Sequence, residues 1–270
     1  MKKKKLGAVA AVAMCAVLGL SGLAGCASSE SSTSASTSAD SSAQTQTLEG
    51  KTLNIYCGAG MTDPFQKIAD EFKAQTGCEM VITFANAAQI QTQIKTTEEG
   101  DFFFAGSKEE TKPVEEYVTS STDLVKHIPV LVVPKDNPKN IASLNDLVNA
   151  DTILIGDPES TPIGKIAKKA FTDAGIFDTV SDKLTTTTTA PQIAAALARG
   201  EGDAGIVWKE NVKADGATIV ADSGMDSYTK VIPAAQLKSV TDADAAAAFL
   251  EFLGSDAAKS IWAEYGYEQA

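Results

Sequence analysis

The chain has 270 residues, 44% of them hydrophobic and 21% charged, a balance that supports one large domain or two lobes and excludes disorder along the whole length. Lys and Arg number 23 against 35 Asp and Glu, and a net charge of −12 makes the chain a poor candidate for nucleic acid, which requires a basic face. A single histidine, His127, and four cysteines without a C-x-x-C pair exclude multi-histidine metal sites, zinc ribbons and thioredoxin-type redox motifs.

Four lysines at 2–5 and an apolar run over 6–20 form the n- and h-regions of an export signal. No other stretch approaches membrane length, which excludes a multi-span membrane protein. Leu23-Ala24-Gly25-Cys26 follows at once and resembles the lipobox of bacterial lipoproteins. That resemblance implies a signal peptide over 1–25, cut before Cys26, whose thiol then carries lipid. The protein would be lipid-anchored at the extracytoplasmic face of the cell membrane. Residues 26–50 are rich in Ser, Thr, Ala and Gln and bury too little surface to offset their ordering entropy, so they are expected to be a disordered tether.

From residue 51 strand and helix signals alternate, predicting an α/β protein with parallel sheets. A strand over 53–57 runs into the turn Gly58-Ala59-Gly60. Asp63-Pro64 opens a helix in which Phe65, Ile68, Ala69 and Phe72 share one face, and Gly77 ends it. A strand over 80–84, a helix over 87–97 carrying Ile90 and Ile94, and a short strand over 101–105 come next. One long strand is expected over 127–133, stopped by Pro134. A short helix over 143–148 and a strand over 152–155 precede a helix from Pro162 to Gly175. The threonines over 185–189 read as an edge strand and loop. A helix from Pro191 through Leu197, a strand over 204–208, and helices over 242–253 and 257–265 complete the chain. Strands thus lead into helices that begin at Pro64, Ala87, Pro162 and Pro191. Such N-termini gather at the carboxyl edge of a parallel sheet, where free N–H groups and partial positive charge suit an anion without lysine or arginine.

Gly156-Asp157-Pro158-Glu159-Ser160-Thr161-Pro162-Ile163-Gly164, followed by Ala170-Phe171 and Gly175, resembles the GDPxxxPAG segment of periplasmic molybdate-binding proteins. Asp203-Ala204-Gly205-Ile206-Val207-Trp208 is similar to that family's G-I-V-Y segment, and residues 130–135 to its strand-plus-PK element. Ala59-Gly60-Met61-Thr62 stands at its A-S-L-T, residues 100–105 at its A-D-x-F-I-S, and Trp262-Ala263-Glu264-Tyr265-Gly266-Tyr267 at its closing F-x-x-Y-G-F. The resemblance runs over 51–270. It implies a two-lobed periplasmic-binding-protein fold of group II: two parallel-sheet lobes joined by two crossover strands, near 128–131 and 230–233. Lobe 1 would take 51–128 plus 233–270, and lobe 2 would take 129–232. The implied role is a non-enzymatic receptor of an ABC importer, a monomer that closes on molybdate or tungstate and is read by a permease and its ATPase. Beyond that oxyanion it implies no metal and no cofactor.

Carried over, the oxyanion's donors fall on Gly60, Ala87, Ile163, Ala190 and Trp208. Gly60 and Ala87 stand where the family has serine, and Trp208 where it has tyrosine, so hydroxyl donors are lost while the backbone N–H groups remain. Met61, Thr62, Asn86, Thr161 and Thr189 complete the expected ligand-binding set, and Ser107 is a further nearby hydroxyl. Another tetrahedral oxyanion or a small carboxylate stays open as the ligand. A cage of neutral donors predicts an affinity nearly flat between about pH 6 and 8.5, with His127 left to packing or the surface. The alternative is a hydrolase with Cys57 as nucleophile, which needs a base near the strand end. Cys57 and Cys78 are expected to be free thiols. They lie at opposite ends of neighbouring parallel strands, and a strand length of ~17 Å exceeds the ~7 Å limit for a bridge.

Overall fold

The computed structural model describes residues 47–187, 189–213 and 215–270. The signal segment, Cys26 and nearly all of the tether lie outside the described residues. In chain order the elements are β1 (Thr52–Gly58), α1 (Thr62–Thr76), β2 (Glu79–Ala85), α2 (Ala87–Thr97), β3 (Phe102–Phe104), α3 (Lys108–Thr111), β4 (Val118–His127) and β5 (Pro129–Pro134). They continue with β6 (Ile153–Gly156), α4 (Pro162–Asp173), α5 (Phe177–Val180), β7 (Leu184–Thr187), α6 (Ala190–Ala198), β8 (Ala204–Trp208) and β9 (Ala217–Ile219). The chain closes with β10 (Lys230–Leu237), α7 (Ala243–Leu253), α8 (Asp256–Glu264) and β11 (Glu268–Gln269).

Two sheets result. One has the order β11-β4-β10-β3-β1-β2 and the other β7-β6-β8-β5-β9. Each holds a parallel trio made by strand–helix–strand crossovers: β2-β1-β3 in the first and β7-β6-β8 in the second. Antiparallel strands extend each trio. β10 pairs antiparallel with β3 and β4, β11 with β4, and β5 with β8 and β9. These strands are not fed by a covering helix, so nothing forces the parallel direction on them. Both sheets are therefore mixed rather than wholly parallel.

The expected single strand over 127–133 is two. β4 belongs to the first sheet and β5 to the second, with Ile128 alone between them. The first half of β4 carries no sequence signal because Thr119–Asp123 is exposed and polar. Its pairing with β10, Lys230 opposite His127 through Leu237 opposite Val118, holds it in place. The expected helix over 143–148 is a tight 3-10 turn, Leu144–Asn149.

Each sheet has its own core. In the first, Phe65 and Phe72 of α1 meet Phe102, Phe104 and Phe249, with ring centroids 4.4 Å apart for Phe65–Phe104 and 5.6 Å for Phe102–Phe249. Such tilted and edge-on contacts suit aromatic quadrupoles. The second core gathers Leu131, Ile153, Ile155, Phe171, Ile193, Leu197 and Ile206. In the first lobe one carboxylate is fully buried. Asp101 accepts from the backbone N–H of Asn54 at 2.6 Å and of Thr241 at 2.8 Å, and from the Thr241 hydroxyl at 3.2 Å. It ties β1 to the turn before α7. Asp101→Ala takes the charged acceptor from both part-buried N–H groups, at about 1–3 kcal/mol each. A lower urea midpoint with an unchanged slope is the expected result in an equilibrium unfolding curve.

Candidate ligand-binding site

The register of the parallel trios sets the site. Gly58 at the end of β1 pairs with Ala85 at the end of β2, so the starts of α1 and α2 lie side by side. Gly156 at the end of β6 pairs with Thr187 at the end of β7, which does the same for α4 and α6. Each lobe thus presents two neighbouring helix N-termini, whose first-turn N–H groups lack helical partners.

Local chemistry settles which side chains remain free. A 3-10 turn, Ala59–Met61, leads into α1. Gly60 is exposed, and a Cβ there would meet nothing within 4 Å. Met61 turns into the core. The Thr62 hydroxyl donates to Ala59 O at 2.8 Å. Asn86 caps α2, accepting from Gln89 N–H at 3.0 Å, and Ala87 follows it half-buried. Thr161 caps α4: its hydroxyl accepts from Gly164 N–H at 3.1 Å and donates to Asp157 O at 2.8 Å. The side chains of Ile163 and Ala190 are buried in the second core. Thr189 precedes α6, is exposed, and makes no capping bond to it. Ser107 is buried ahead of the four-residue α3. Caps therefore already engage the side chains of Asn86 and Thr161, and the N–H groups of the helix starts are what these stretches offer a ligand.

A cavity of about 320 Å³ opens between the two sheets' elements. Gly60, Thr62 and Pro64 at the start of α1 form one wall, and Pro191 in the first turn of α6 another. Of the expected residues it takes Gly60 and Thr62; Met61, Asn86, Ala87, Thr161, Ile163, Thr189, Ala190 and Trp208 do not line it. Its remaining walls were not expected from sequence: Glu210, Asn211 and Lys213 beyond β8, and Tyr265 and Tyr267 from the C-terminal segment. The Trp262–Tyr267 motif pointed at that segment but gave Tyr265 and Tyr267 no role. Nothing in Lys209–Lys213 stood out. Asn211 Oδ1 is buried without a hydrogen-bond partner among the described residues. Turning that amide about its last bond offers an N–H donor in the same place. A shallow hollow of about 510 Å³ along α2, lined by Gln89, Thr92, Gln93 and Thr96, involves that helix alone and brings no second element to a ligand.

Glu210 is the centre of a polar cluster. His127 Nε2 lies 3.0 Å from Glu210 Oε1, and Nδ1 lies 3.1 Å from Gly106 O. The imidazole stacks on the Trp208 indole, centroids 3.5 Å apart at 18°. Burial and the neighbouring Glu210 carboxylate push the Tyr267 hydroxyl's pKa up. Burial also raises the carboxyl of Glu110, although Gly106 N–H donates to it at 2.9 Å. His127 is thus neither a surface residue nor plain packing, because both its ring nitrogens are engaged by groups from separate segments.

Cys57 and Cys78 are free and buried. Burial pushes the Cys57 thiol well up, which holds it protonated and poorly nucleophilic. Among the described residues no cluster of His, Cys, Asp and Glu could hold a metal ion, and no helix is long and apolar enough to cross a membrane.

Two α/β lobes, with the start of α1 from one and Pro191 of α6 from the other beside a cavity between them, define the class of two-lobed solute receptors. Residues 53–268 match the family model of bacterial extracellular solute-binding proteins, and the chain belongs to that family. It is 29% identical over 232 residues to the molybdate-binding protein ModA of Escherichia coli (strain K12), covering 81% of this chain and 89% of that one. It is 28% identical over 236 residues to YvgL of Bacillus subtilis (strain 168), named "Putative ABC transporter substrate-binding lipoprotein", covering 84% and 91%. Among solved structures, "substrate binding domain of putative molybdenum ABC transporter from Clostridium difficile" superposes with a TM-score of 0.70 at 27% identity, over 81% of this chain and 99% of that one. The family consists of binding proteins, so the chain is a solute-binding protein and not a Cys57-dependent hydrolase.

Gly164 gives the sharpest test of the α4 start. A Cβ there would fall 2.3 Å from both Gly156 O and Asp157 O. Gly164→Ala forces the β6–α4 turn apart and is expected to lose about 1–3 kcal/mol or more, read as a lower melting temperature in a thermal scan.

Proposed function

We propose that this protein is the solute-binding lipoprotein of an ABC importer, taking a tetrahedral oxyanion, molybdate or tungstate, into the interlobe cleft. The observation that carries the reading is the pairing of helix N-termini, α1 with α2 and α4 with α6, by strand register. Neutral N–H donors at Gly60, Ala87, Ile163, Ala190 and Trp208 would hold the oxygens, with Met61, Thr62, Asn86, Thr161 and Thr189 around them. Lobes of 51–128 plus 233–270 and of 129–232 close by a hinge at the crossovers. The closed form is what a permease and its ATPase would recognise. The names of the E. coli and C. difficile relatives support the ligand class. A second reading, a receptor for another small anion, is favoured by the glycine at 60 and alanine at 87, which leave the cage without two hydroxyls.

Calorimetry with molybdate, tungstate, sulfate and phosphate tests the assignment. Rigid N–H cages select by radius, so molybdate and tungstate are expected to bind alike and at least about tenfold tighter than the smaller sulfate. Sulfate or phosphate binding as tightly as molybdate would overturn the assignment. The anchor is inferred from Leu23-Ala24-Gly25-Cys26 and agrees with the name of the B. subtilis relative. Metabolic labelling with a radioactive fatty acid should mark the wild type and not Cys26→Ser, which should leave the membrane fraction. Continued label in the variant would place the lipid elsewhere.

A further inference from the structure

We propose that His127 is a positioning residue of the binding site, and that one proton it shares with Glu210 ties the placement of Trp208, and with it ligand affinity, to pH. The inference rests on the reading that Trp208 serves the ligand site.

The geometry requires that proton. Gly106 O, 3.1 Å from Nδ1, is a carbonyl and can only accept. Glu210, 3.0 Å from Nε2, is a carboxylate and, when ionised, also only accepts. A neutral imidazole has one N–H, so one of its two contacts would set lone pair against lone pair. Both contacts are satisfied when the ring is an imidazolium beside an ionised Glu210, or when the proton rests on Glu210 and bonds back to Nε2. In each case the pair holds one proton more than a neutral ring and a free carboxylate.

Three separate stretches make this arrangement. His127 ends β4 in the first sheet, Gly106 follows β3, and Glu210 follows β8 in the second sheet. Lys209 N–H donates to Ile128 O at 2.8 Å, so Glu210 is pinned at the crossover where the lobes turn on each other. The Trp208 indole lies flat on the clamped ring. A cation over an indole face is attracted to it, so the protonated ring holds Trp208 more firmly than a neutral one.

The surrounding charges fit this state. Glu210 faces the ring from beyond β8 and Glu110 from α3, while the Tyr267 ring lies 6.3 Å away by centroids and its hydroxyl bonds to Glu210. Lys230 lies opposite His127 on β10 but pairs with Glu109 at 2.9 Å. Lys126 neighbours His127 on β4 and pairs across the ladder with Glu268, whose carboxylate also binds Lys209. Among the described residues neither Glu210 nor Glu110 is paired with a lysine in a salt bridge, although Lys165 of α4 acts on Glu110 from a distance.

The sign follows from linkage. The proton belongs to the clamped form, so its stabilisation is complete at low pH and is lost as pH rises. Affinity for an oxyanion that stays ionised throughout is expected to weaken with rising pH, not to stay flat.

The chain has one histidine and two tryptophans, so both groups can be followed singly. The experiment uses the full chain without an added histidine tag, carrying Trp262→Phe so that Trp208 alone emits. From about pH 5.5 to 9, its emission is expected to rise along a one-proton curve as the quenching imidazolium disappears. Molybdate, titrated by calorimetry at fixed ionic strength, should lose about tenfold in affinity or more over the same range. In His127→Gln both curves should flatten. Emission that titrates unchanged in His127→Gln, or molybdate affinity as flat in the parent as in the variant, overturns the proposal. If His127→Gln does not fold, nitrogen NMR of the one imidazole decides it: a ring with both nitrogens protonated at about pH 6 supports the proposal, and a neutral ring beside an ionised Glu210 overturns it. Should molybdate bind at no pH, the functional reading fails, and emission with ring titration alone decides whether His127 positions Trp208.

Discussion

The ligand reading proposed for this molecule depends on one constraint: backbone N–H groups at helix starts must stay unpaired by the protein and open to the cleft. Parallel strand pairs supply that condition. When two neighbouring parallel strands end level, the helices that follow begin level too, and their free donors point the same way. The Gly58–Ala85 and Gly156–Thr187 pairs do this in the two lobes. Such a site needs no fixed cation, so a strongly acidic protein can carry it. At physiological salt the charge of the body is screened beyond about 8 Å, while the helix starts act at contact.

A second level of organisation joins the lobes. The segment Lys209–Lys213 of the second lobe runs against the C-terminal segment of the first. Lys209 binds Glu268, Glu210 neighbours Tyr267, and the Lys213 ammonium sits 5.3 Å over the Tyr265 ring. Gly266 keeps that strip close, since a Cβ there would lie 3.3 Å from the Glu210 Cα. The strip also forms a wall of the cavity. Glu210 and Tyr267 therefore belong both to the cavity wall and to the contact between the two segments.

Caps explain why several polar residues near the helix starts are not free donors. Asn86 and Thr161 accept from the N–H groups of Gln89 and Gly164, each satisfying one orphan and fixing the first turn. That stiffens the first turns of α2 and α4.

The sequence by itself determined what local physics controls. Ile90 and Ile94, four apart on one face, marked the helix over 87–97, and the apolar run over 204–208 marked β8. The order of strands, helix starts and motifs also placed the chain among two-lobed receptors. What only the tertiary structure decided lies between segments far apart in the chain. The polar half of β4 is a strand because β10 pairs with it, and no alternation of its own marks it. The strand expected over 127–133 breaks at Ile128 because its two halves belong to different sheets. Glu210 and Asn211 carry no pattern, and they came to line the cavity only when the segment after β8 met the C-terminus. His127, the single histidine of the chain, gained its two partners and its indole from two other stretches, Gly106 after β3 and Trp208–Glu210 at the end of β8. Hydrogen bonds and ring contacts have no period, so their partners are fixed by the packing of the two sheets and not by any run of residues.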